Sequence, residues 1–496
     1  MDPSVVFTLS VAAVVLCAGI FSTKLASRIG VPALVLFIAA GMVLGSDVLG
    51  LIYFDDARLA QLVATAALVV ILFEGGLQTR WSQMRRILAP SVTLATLGVV
   101  VTVVITGVFA WRTLDLDIPM AMLLAATVGS TDAAAIFAVL RDRQIKQRLK
   151  ATVEAESGLN DPMALFLTQI FLTWVQTGSL PIGQAILLLI WQMAVGLAIG
   201  LAMGRLVSLV VLRARFDSGG LYPLLLLANA LLTFAVATWV QGSGIVAVYV
   251  LGIVLGGSDL PYRQSSIRFH EGTASLAQII MFSLLGLLVF PSRMVPVIVP
   301  GLLLAAGLMF IARPVAVWLC TLGTGYSKQE ILLLAWAGLK GAVPIILATF
   351  PLVAGVPQSD LIFHMVFFVV LTSALIQGSS ISLLARRLGL VEATSRPKPI
   401  SLELIAVEKS NADLIEVEIT PGTDAEGKQL AQLNLPANVT VSAIVRHDKV
   451  VTPRGVTRLE AGDILFVLAE RGQREHVTDF FAGEEELPAP GSAPST

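Results

Sequence analysis

The sequence predicts an all-α, polytopic membrane protein that is followed by a small α+β domain. Of its 496 residues, 56% are hydrophobic and only 14% are charged, and the mean hydropathy is +0.84. Soluble proteins carry roughly 25% charged residues, so this composition is typical of many membrane spans. Apolar runs recur as far as Arg387, after which the composition becomes polar. We therefore predict a membrane domain at 1–390, a linker at 391–403, a cytoplasmic domain at 404–483 and a disordered tail at 484–496.

Thirteen apolar runs are candidates for spans of the lipid bilayer, because a helix of about 20 apolar residues crosses it. The runs lie at 4–22, 30–46, 57–77, 88–112, 118–140, 150–177, 181–212, 219–240, 243–257, 272–290, 294–322, 328–355 and 359–387. The chain begins Met1-Asp2-Pro3, without the basic segment of a signal peptide. The first run is therefore expected to be a membrane helix.

Lys and Arg are concentrated in every second loop between these runs, which predicts an orientation. With the N-terminus outside, most basic residues fall in inner loops, and the outer loops hold Arg58, Arg112 and Arg293. Adding or removing one span would move every later loop to the opposite side and destroy this asymmetry. We expect the N-terminus outside and the C-terminus in the cytoplasm.

The C-terminal domain is predicted from short runs in which apolar and polar residues alternate, as they do in strands. These runs lie at 414–420, 441–446 and 463–470. A Pro-Gly pair at 421–422 and Gly462 mark turns between them. The domain is therefore expected to be a small α+β unit.

Composition argues against several classes of partner and cofactor. The net charge of −1 indicates no nucleic-acid partner. Cys17 and Cys320 both lie in apolar runs, and the few histidines are scattered, so neither a structural disulfide nor a resident metal site is expected. No cofactor is predicted.

Acidic side chains within the predicted spans are the strongest functional signal. An acid at the bilayer centre costs roughly 2.5–3.5 kcal/mol on insertion scales. Hydrogen bonds between membrane helices return only ~0.6 kcal/mol on average, so helix association alone does not explain these acids. Glu74 lies near the end of its span and is expected to be structural.

The fifth and sixth spans carry the acids that need a functional explanation. The fifth contains GSTDA at 129–133, whose small and polar residues predict a break in the helix. On the sixth, Glu156 and Asn160 share one helical face, and so do Ser157 and Asp161. A proline directly after Asp161 frees a backbone carbonyl at the same depth. Carboxylates, a hydroxyl and a free carbonyl form a hard-oxygen site that suits an alkali cation.

The twelfth span contains GLKGAVP at 338–344, and its two glycines and proline predict a second broken helix. Interrupted spans at corresponding places in two halves of a chain indicate the central site of a transporter. The fifth and twelfth spans are seven apart and fit that pattern. Lys340 is expected to be the counter-charge of Glu156, and Arg313 is assigned no role.

These motifs resemble those of the monovalent cation/proton antiporters of the first type, and in particular the bacterial NhaP-like potassium/proton branch. The likeness covers the whole membrane part, through GSTDAAA at 129–135, ESGLNDP at 156–162, GLKGAVP at 338–344 and supporting stretches at 219–225 and 242–249. The C-terminal domain resembles the second subdomain of potassium-conductance regulators, through LEAGDIL at 459–465.

The resemblance implies a fold of thirteen helices with inverted repeats, working as a homodimer by an elevator-like movement in the bacterial inner membrane. The ion- and proton-binding residues that it implies are Asp161, Asp132, Ser157 and Thr131, and the bracing residues are Glu156, Asn160 and Lys340. Asp161 and Asp132 would hold the transported metal ion. The family commonly has Arg at the position of Lys340, and a buried Lys can lose its proton, which leaves coupling and pH dependence open.

The implied function is exchange of a monovalent cation for H+, with K+ favoured and Na+ as the alternative. Burial favours the protonated form of Asp161 and a bound cation favours the carboxylate, so the two ions compete for one site. Asn160 stands beside Asp161 where a second acid would otherwise be, which favours electroneutral exchange. A channel is the alternative from another class, but it needs a continuous polar pore, whereas these polar groups cluster at one depth. No enzymatic activity is expected.

The C-terminal domain is expected to regulate transport. Its resemblance to potassium-conductance regulators implies a small-molecule or nucleotide ligand. The sequence does not identify that ligand.

Overall fold

The computed structural model describes residues 3–29, 31–79, 84–85, 87–133, 136, 144–180, 182–214, 216, 218–258, 260–392, 412–419, 423, 425–433, 435, 438–446, 449–470, 477 and 480–481. The chain forms two compact units, Met1–Ala393 and Thr394–Thr496. Most of the predicted linker and the whole predicted tail lie outside the described residues, as do Ala134 and Ala135 of the first motif.

Helices make up nearly all of the described part of the first unit. They are α1 (Pro3–Ile29), α2 (Ala33–Leu44), α3 (Ala57–Gln78), α4 (Leu88–Thr113), α5 (Ile118–Thr127), α6 (Gln147–Thr177), α7 (Ile182–Arg213), α8 (Leu221–Trp239), α9 (Gly244–Gly256), α10 (Arg263–Leu287), α11 (Pro291–Cys320), α12 (Lys328–Trp336), α13 (Ala342–Val353) and α14 (Ser359–Arg387). Among the described residues, α3, α4, α7, α8, α11 and α14 are long and apolar enough to cross a membrane; shorter apolar segments are α2, α5, α9, α13 and Ala13–Ala26 of α1.

Several helices begin close to where the apolar runs were predicted to begin, because a polar side chain caps them. Asp56 accepts hydrogen bonds from the first N–H groups of α3, Asp117 from those of α5 and Ser243 from those of α9. Ser327 and Glu330 form a capping box at the start of α12. Each cap satisfies N–H groups that have no partner inside the helix.

Several helix boundaries differ from the predicted runs. The first run was predicted to end at residue 22, and α1 continues to Ile29. α10 begins at Arg263 instead of residue 272, and α6 begins at Gln147 instead of residue 150. Their first turns carry charged and polar residues that hydropathy excludes. Hydropathy detects only the apolar segment of each helix, so it misses the polar first turns.

Pairs of glycines allow two pairs of helices to cross at short range. Gly76 of α3 faces Gly252 of α9, and Gly41 of α2 faces Gly286 of α10. A Cβ atom at Gly76 would lie 2.6 Å from the backbone oxygen of Tyr249. Small residues permit such close packing of membrane helices.

The helical path is interrupted at both predicted places. α5 ends at Thr127, residues 128–132 are not helical, and residues 133 and 136 are helical again. α12 ends at Trp336, and α13 begins at Ala342 after five non-helical residues at 337–341. Both segments contain glycine, and neither carries a regular ladder of backbone hydrogen bonds.

The strands lie in both units. In the first, β1 (Gln144–Ile145) pairs antiparallel with β2 (Val391–Glu392). The described part of the second unit contains an antiparallel sheet of order β3-β6-β4-β5, with the strands β3 (Ala412–Glu418), β4 (Thr440–Arg446), β5 (Lys449–Val451) and β6 (Ile464–Glu470).

The core of the second unit is built on β3 and β6. Ile415 and Val417 of β3 are buried with Leu465 and Val467 of β6. β6 is buried on both faces, since Ile464 and Phe466 are buried as well. β5 was not predicted, because three residues are too few to show a periodic pattern.

Candidate functional site

Asp161 lies on α6 and is only 4% exposed. Its Oδ1 has no hydrogen-bond partner among the described residues, and the same holds for Oδ1 of Asn160. Buried polar atoms in proteins are nearly always satisfied, so two neighbouring unsatisfied oxygens indicate a place for a ligand or a proton.

Side chains of α6 form hydrogen bonds with residues of the break that follows α5. The Ser157 hydroxyl donates to the Thr131 carbonyl at 3.1 Å and accepts the N–H of Ala133 at 3.1 Å. The Asn160 amide donates to the Thr131 hydroxyl at 2.6 Å. These hydrogen bonds bring Ser157, Asn160 and Thr131 together at the segment of α6 that carries Asp161.

The two breaks lie against each other, and each supplies hydrogen-bond partners for backbone groups of the other. The N–H of Asp132 donates to the carbonyl of Leu339 at 2.7 Å. In return, the Lys340 ammonium donates to the carbonyl of Ser130 at 2.8 Å and more weakly to that of Gly129 at 3.4 Å. Lys340 is 1% exposed, so this contact replaces water around a charge in an apolar interior.

The glycines of the second break make room for two charged side chains. A Cβ atom at Gly338 would lie 2.6 Å from Nε of Arg313. A Cβ atom at Gly341 would overlap the Asp132 carboxylate. Any larger residue at either position must displace a charged group.

Glu156 is paired with Arg313, which corrects the prediction that Lys340 is its counter-charge. Arg313 Nη2 donates to Glu156 Oε2 at 2.9 Å, and Nη1 lies 2.5 Å from Oε1. Glu156 is 1% exposed and Arg313 is 3% exposed. The guanidinium therefore lies against both carboxylate oxygens, with a hydrogen bond to Oε2 and an ion-pair contact to Oε1, which accepts no hydrogen bond among the described residues. The same cost argument that selected the acids applies to Arg313, a basic residue in an apolar span, and would have identified it.

Five ionisable groups therefore meet around the crossing. Arg313 lies next to Gly338 and Asp132 lies next to Gly341, the two glycines on either side of Lys340 in the chain. Glu156, which shares α6 with Asp161, is paired with Arg313. With all five ionised, three acids and two bases leave one net negative charge. One proton or one monovalent cation neutralises it.

The membrane part matches the family model described as "Sodium/hydrogen exchanger, transmembrane" over residues 12–387. Residues 414–482 match the TrkA-C domain.

Proteins similar to this chain include the K(+)/H(+) antiporter NhaP2 of Shewanella sp. strain ANA-3, which is 38% identical over 476 residues. That match covers 95% of this chain and 83% of the relative. The K(+)/H(+) antiporter NhaP of Alkalimonas amylolytica is 38% identical over 470 residues, covering 93% of this chain and 81% of the relative.

The fold is similar to that of the sodium proton antiporter MjNhaP1 from Methanocaldococcus jannaschii, solved at pH 8. The TM-score is 0.67 at 24% identity, and the match covers 77% of this chain and 99% of that one. At this identity the likeness concerns the fold alone.

Proposed function

The chain belongs to the sodium/hydrogen exchanger family, which makes it a membrane antiporter of cations and protons, and we propose that Asp161 carries K+ and H+ in turn. The observation that carries the proposal is the buried Asp161 carboxylate beside two crossing helix breaks, with one oxygen unsatisfied among the described residues. It is a transporter and not an enzyme.

K+ is the proposed cation because the relatives that align over nearly the whole chain are named K(+)/H(+) antiporters. A TrkA-C domain, the type that the sequence relates to potassium-conductance regulators, supports the same choice. Na+ remains the alternative, because both ions bind oxygen ligands.

The proposed roles of the site residues follow from their contacts. Asp161 and Asp132 hold the cation, with the Ser157 hydroxyl and the Thr131 carbonyl as ligands or close neighbours. Both of these oxygens are already part of one hydrogen bond at the break, so they are held in place before the ion arrives. The bracing residues are Glu156, Asn160 and Lys340, to which Arg313 is now added.

Electroneutral exchange is proposed from the charge balance at the crossing. When all five groups are ionised, their single net negative charge is cancelled equally well by K+ or by H+. The empty, charged site is then the form that crosses an apolar barrier slowly, which couples the two ions. Transport that depends on membrane potential at saturating ions would contradict this stoichiometry.

Inverted repeats of thirteen spans are supported by four features that recur in the same order and at a nearly constant separation along the chain. These are the glycines Gly41 and Gly252, the glycines Gly76 and Gly286, the π-helical turns Leu94–Gly98 and Leu308–Ala312, and the breaks at 128–132 and 337–341. The α2–α10 crossing then corresponds to the α9–α3 crossing, as a two-fold relation between halves requires.

The remaining proposals concern topology, assembly and regulation. Loop charges support an N-terminus outside and a C-terminus in the cytoplasm of the bacterial inner membrane. The resemblance to the family supports a homodimer. The TrkA-C domain supports regulation by a small molecule or nucleotide.

The test is transport by purified protein in liposomes that contain a trapped pH dye and an acid interior. K+, Na+ or an impermeant cation is added outside. We expect K+ to dequench the dye in the wild type and not in Asp161→Asn, and the Na+ trace to decide selectivity.

Silence of the wild type toward both cations has two explanations, which one variant separates. A chain ending at residue 400 removes the C-terminal domain, so recovered transport would show that this domain holds the transporter shut. A silent truncated chain would overturn the proposal. Single-channel currents in a planar bilayer would favour the channel alternative instead.

A further inference from the structure

The second break leaves backbone groups that need partners. α12 ends at Trp336, so the last carbonyls of α12 lack the N–H groups of a following turn. The N–H of Lys340 likewise lies outside any helix. In an apolar interior each unsatisfied group costs several kcal/mol, so the surrounding helices must supply donors and acceptors.

Two polar side chains of α14 connect the two ends of this break. The N–H of Lys340 donates to Oγ of Ser373 at 3.1 Å, and the Ser373 hydroxyl donates to Oε1 of Gln377 at 2.6 Å. Nε2 of Gln377 then donates to the carbonyl of Trp336 at 3.1 Å. Ser373 and Gln377 are each 1% exposed.

The donor and the acceptor of each of these three hydrogen bonds can be assigned. The hydroxyl of Ser373 has one hydrogen, which it gives to Gln377, so it can only accept from Lys340. That bond also orients the amide of Gln377 and directs its N–H groups toward Trp336. Neither side chain can be replaced by an apolar one without leaving a backbone group of the break unsatisfied.

The backbone of α14 is adapted to this contact. A π-helical turn at Ala374–Gly378 contains Gln377 and directly follows Ser373. The indole N–H of Trp336 donates to Oγ of Ser380 at 2.9 Å, just after the turn. π-helical turns occur often at functional sites.

We propose that Ser373 and Gln377 are positioning residues that hold the backbone of Lys340 and, through it, the ion-binding site. Leu339, the neighbour of Lys340, accepts the N–H of Asp132, and the Lys340 ammonium binds the carbonyl of Ser130. A shift of the Lys340 backbone is therefore transmitted to Asp132 and to the other break. The inference rests on the proposed role of Asp161 as the ion-binding acid.

Loss of this support should weaken cation binding more than it slows the transport cycle. The oxygens around Asp161 are arranged before the cation binds, and a mobile Lys340 removes that preorganisation. The expected signature is a rise in the K+ concentration that gives half-maximal exchange, with the maximal rate retained.

The experiment measures K+-driven proton release from liposomes over a range of K+ concentrations for Ser373→Ala, Ser373→Thr and Gln377→Leu. Ser379→Ala is the matched control, because this exposed hydroxyl lies one residue after the π-helical turn and bonds only to carbonyls of α14 in the described residues. Thermal unfolding in detergent is recorded for each variant. Wild type and Asp161→Asn are run in parallel.

We expect Ser373→Ala and Gln377→Leu to raise the half-saturating K+ concentration threefold or more. Ser373→Thr, which keeps the hydroxyl, should stay within twofold of the wild type, as should Ser379→Ala. If Gln377→Leu does not fold, the Ser373 variants decide the outcome.

Two results would overturn the positioning role. One is an unchanged half-saturating concentration in Ser373→Ala, and the other is a joint loss of maximal rate and thermal stability that Ser373→Thr shares. Exchange that persists in Asp161→Asn would instead contradict the proposed ion-binding acid. The two failures are therefore distinguishable.

Discussion

Glu156 and Asp161 lie on the same helix, little more than one turn apart, yet their carboxylates have opposite surroundings. Both oxygens of Glu156 contact the guanidinium of Arg313. Oε1 of Glu156 and Oδ1 of Asp161 both accept no hydrogen bond among the described residues, but Oε1 lies 2.5 Å from Arg313 Nη1 in an ion pair, whereas Oδ1 of the likewise buried Asp161 has no such contact there. A carboxylate with a permanent partner stabilises the structure, whereas one without a partner is available to a proton or a cation. Burial alone does not distinguish these roles.

The largest effect is expected from removing the basic partner of Glu156. Arg313→Met leaves Glu156 buried without a counter-charge, which typically costs about 3–5 kcal/mol. Thermal unfolding in detergent should show a strongly destabilised protein. Adding Glu156→Gln to the same chain should restore most of the loss, because the uncompensated charge is then absent. A double variant no more stable than Arg313→Met would refute the pairing.

The unpaired acid should reveal itself through its ligand. K+ at 100 times its dissociation constant should stabilise the folded wild type by about 2.7 kcal/mol, because it binds the folded state only. Asp161→Asn should gain nothing from K+. The same measurement in an impermeant organic cation at equal ionic strength is the control. Equal stabilisation of Asp161→Asn would mean that K+ binds elsewhere.

The two glycines of the second break offer a test of intermediate size. Gly338 lies next to the partner of Glu156, whereas Gly341 lies next to Asp132 in the proposed ion-binding site. The methyl group of an alanine at Gly338 would clash with Arg313, and that of an alanine at Gly341 would clash with Asp132. Such overpacking typically destabilises the folded state by about 1–3 kcal/mol. Gly338→Ala should lower thermal stability with little change in the half-saturating K+ concentration. Gly341→Ala should raise that concentration.

Gly272→Ala is the control for both variants, since a Cβ atom there would have no neighbouring atom within 4 Å in the described part of the structure. Identical effects of Gly338→Ala and Gly341→Ala on stability and on K+ dependence would remove the distinction between the two regions.

The smallest effect is expected at Ser157. Ser157→Ala removes the hydroxyl that bonds Thr131 and Ala133, and one such hydrogen bond is worth about 1 kcal/mol. This corresponds to a roughly fivefold rise in the half-saturating K+ concentration. Thr173→Ala is the control, because that exposed hydroxyl bonds only to its own helix among the described residues. Equal effects of both variants would exclude Ser157 from the site.

Much of this arrangement was predictable from residue types alone. Glycine, proline and small polar residues at 129–133 and 338–344 predicted the breaks, because these residues form poor continuous helices. The acids on α6 stood out because burying a charge is costly. The helix starts were predicted well where a capping side chain coincides with the beginning of an apolar run.

The partners of those charges were not predictable in the same way. Arg313, Lys340 and Glu156 are all charged residues in apolar spans, where burial is costly, and the sequence does not state which of them meet. Ser373 and Gln377 carried no signal at all, since uncharged polar residues are cheap in a membrane helix.

The positions of the helix breaks and of the buried ionisable residues follow from residue types alone, because they depend on local backbone preferences and on the cost of leaving water. Tertiary packing sets which acid forms an ion pair with Arg313 and which side chains contact the backbone around Lys340. Those outcomes depend on the depth and rotation at which α6, α11, α12 and α14 pack. Hydrogen bonds form only when donor and acceptor are about 3 Å apart, so a small change in the depth or the rotation of one helix would change which side chains pair.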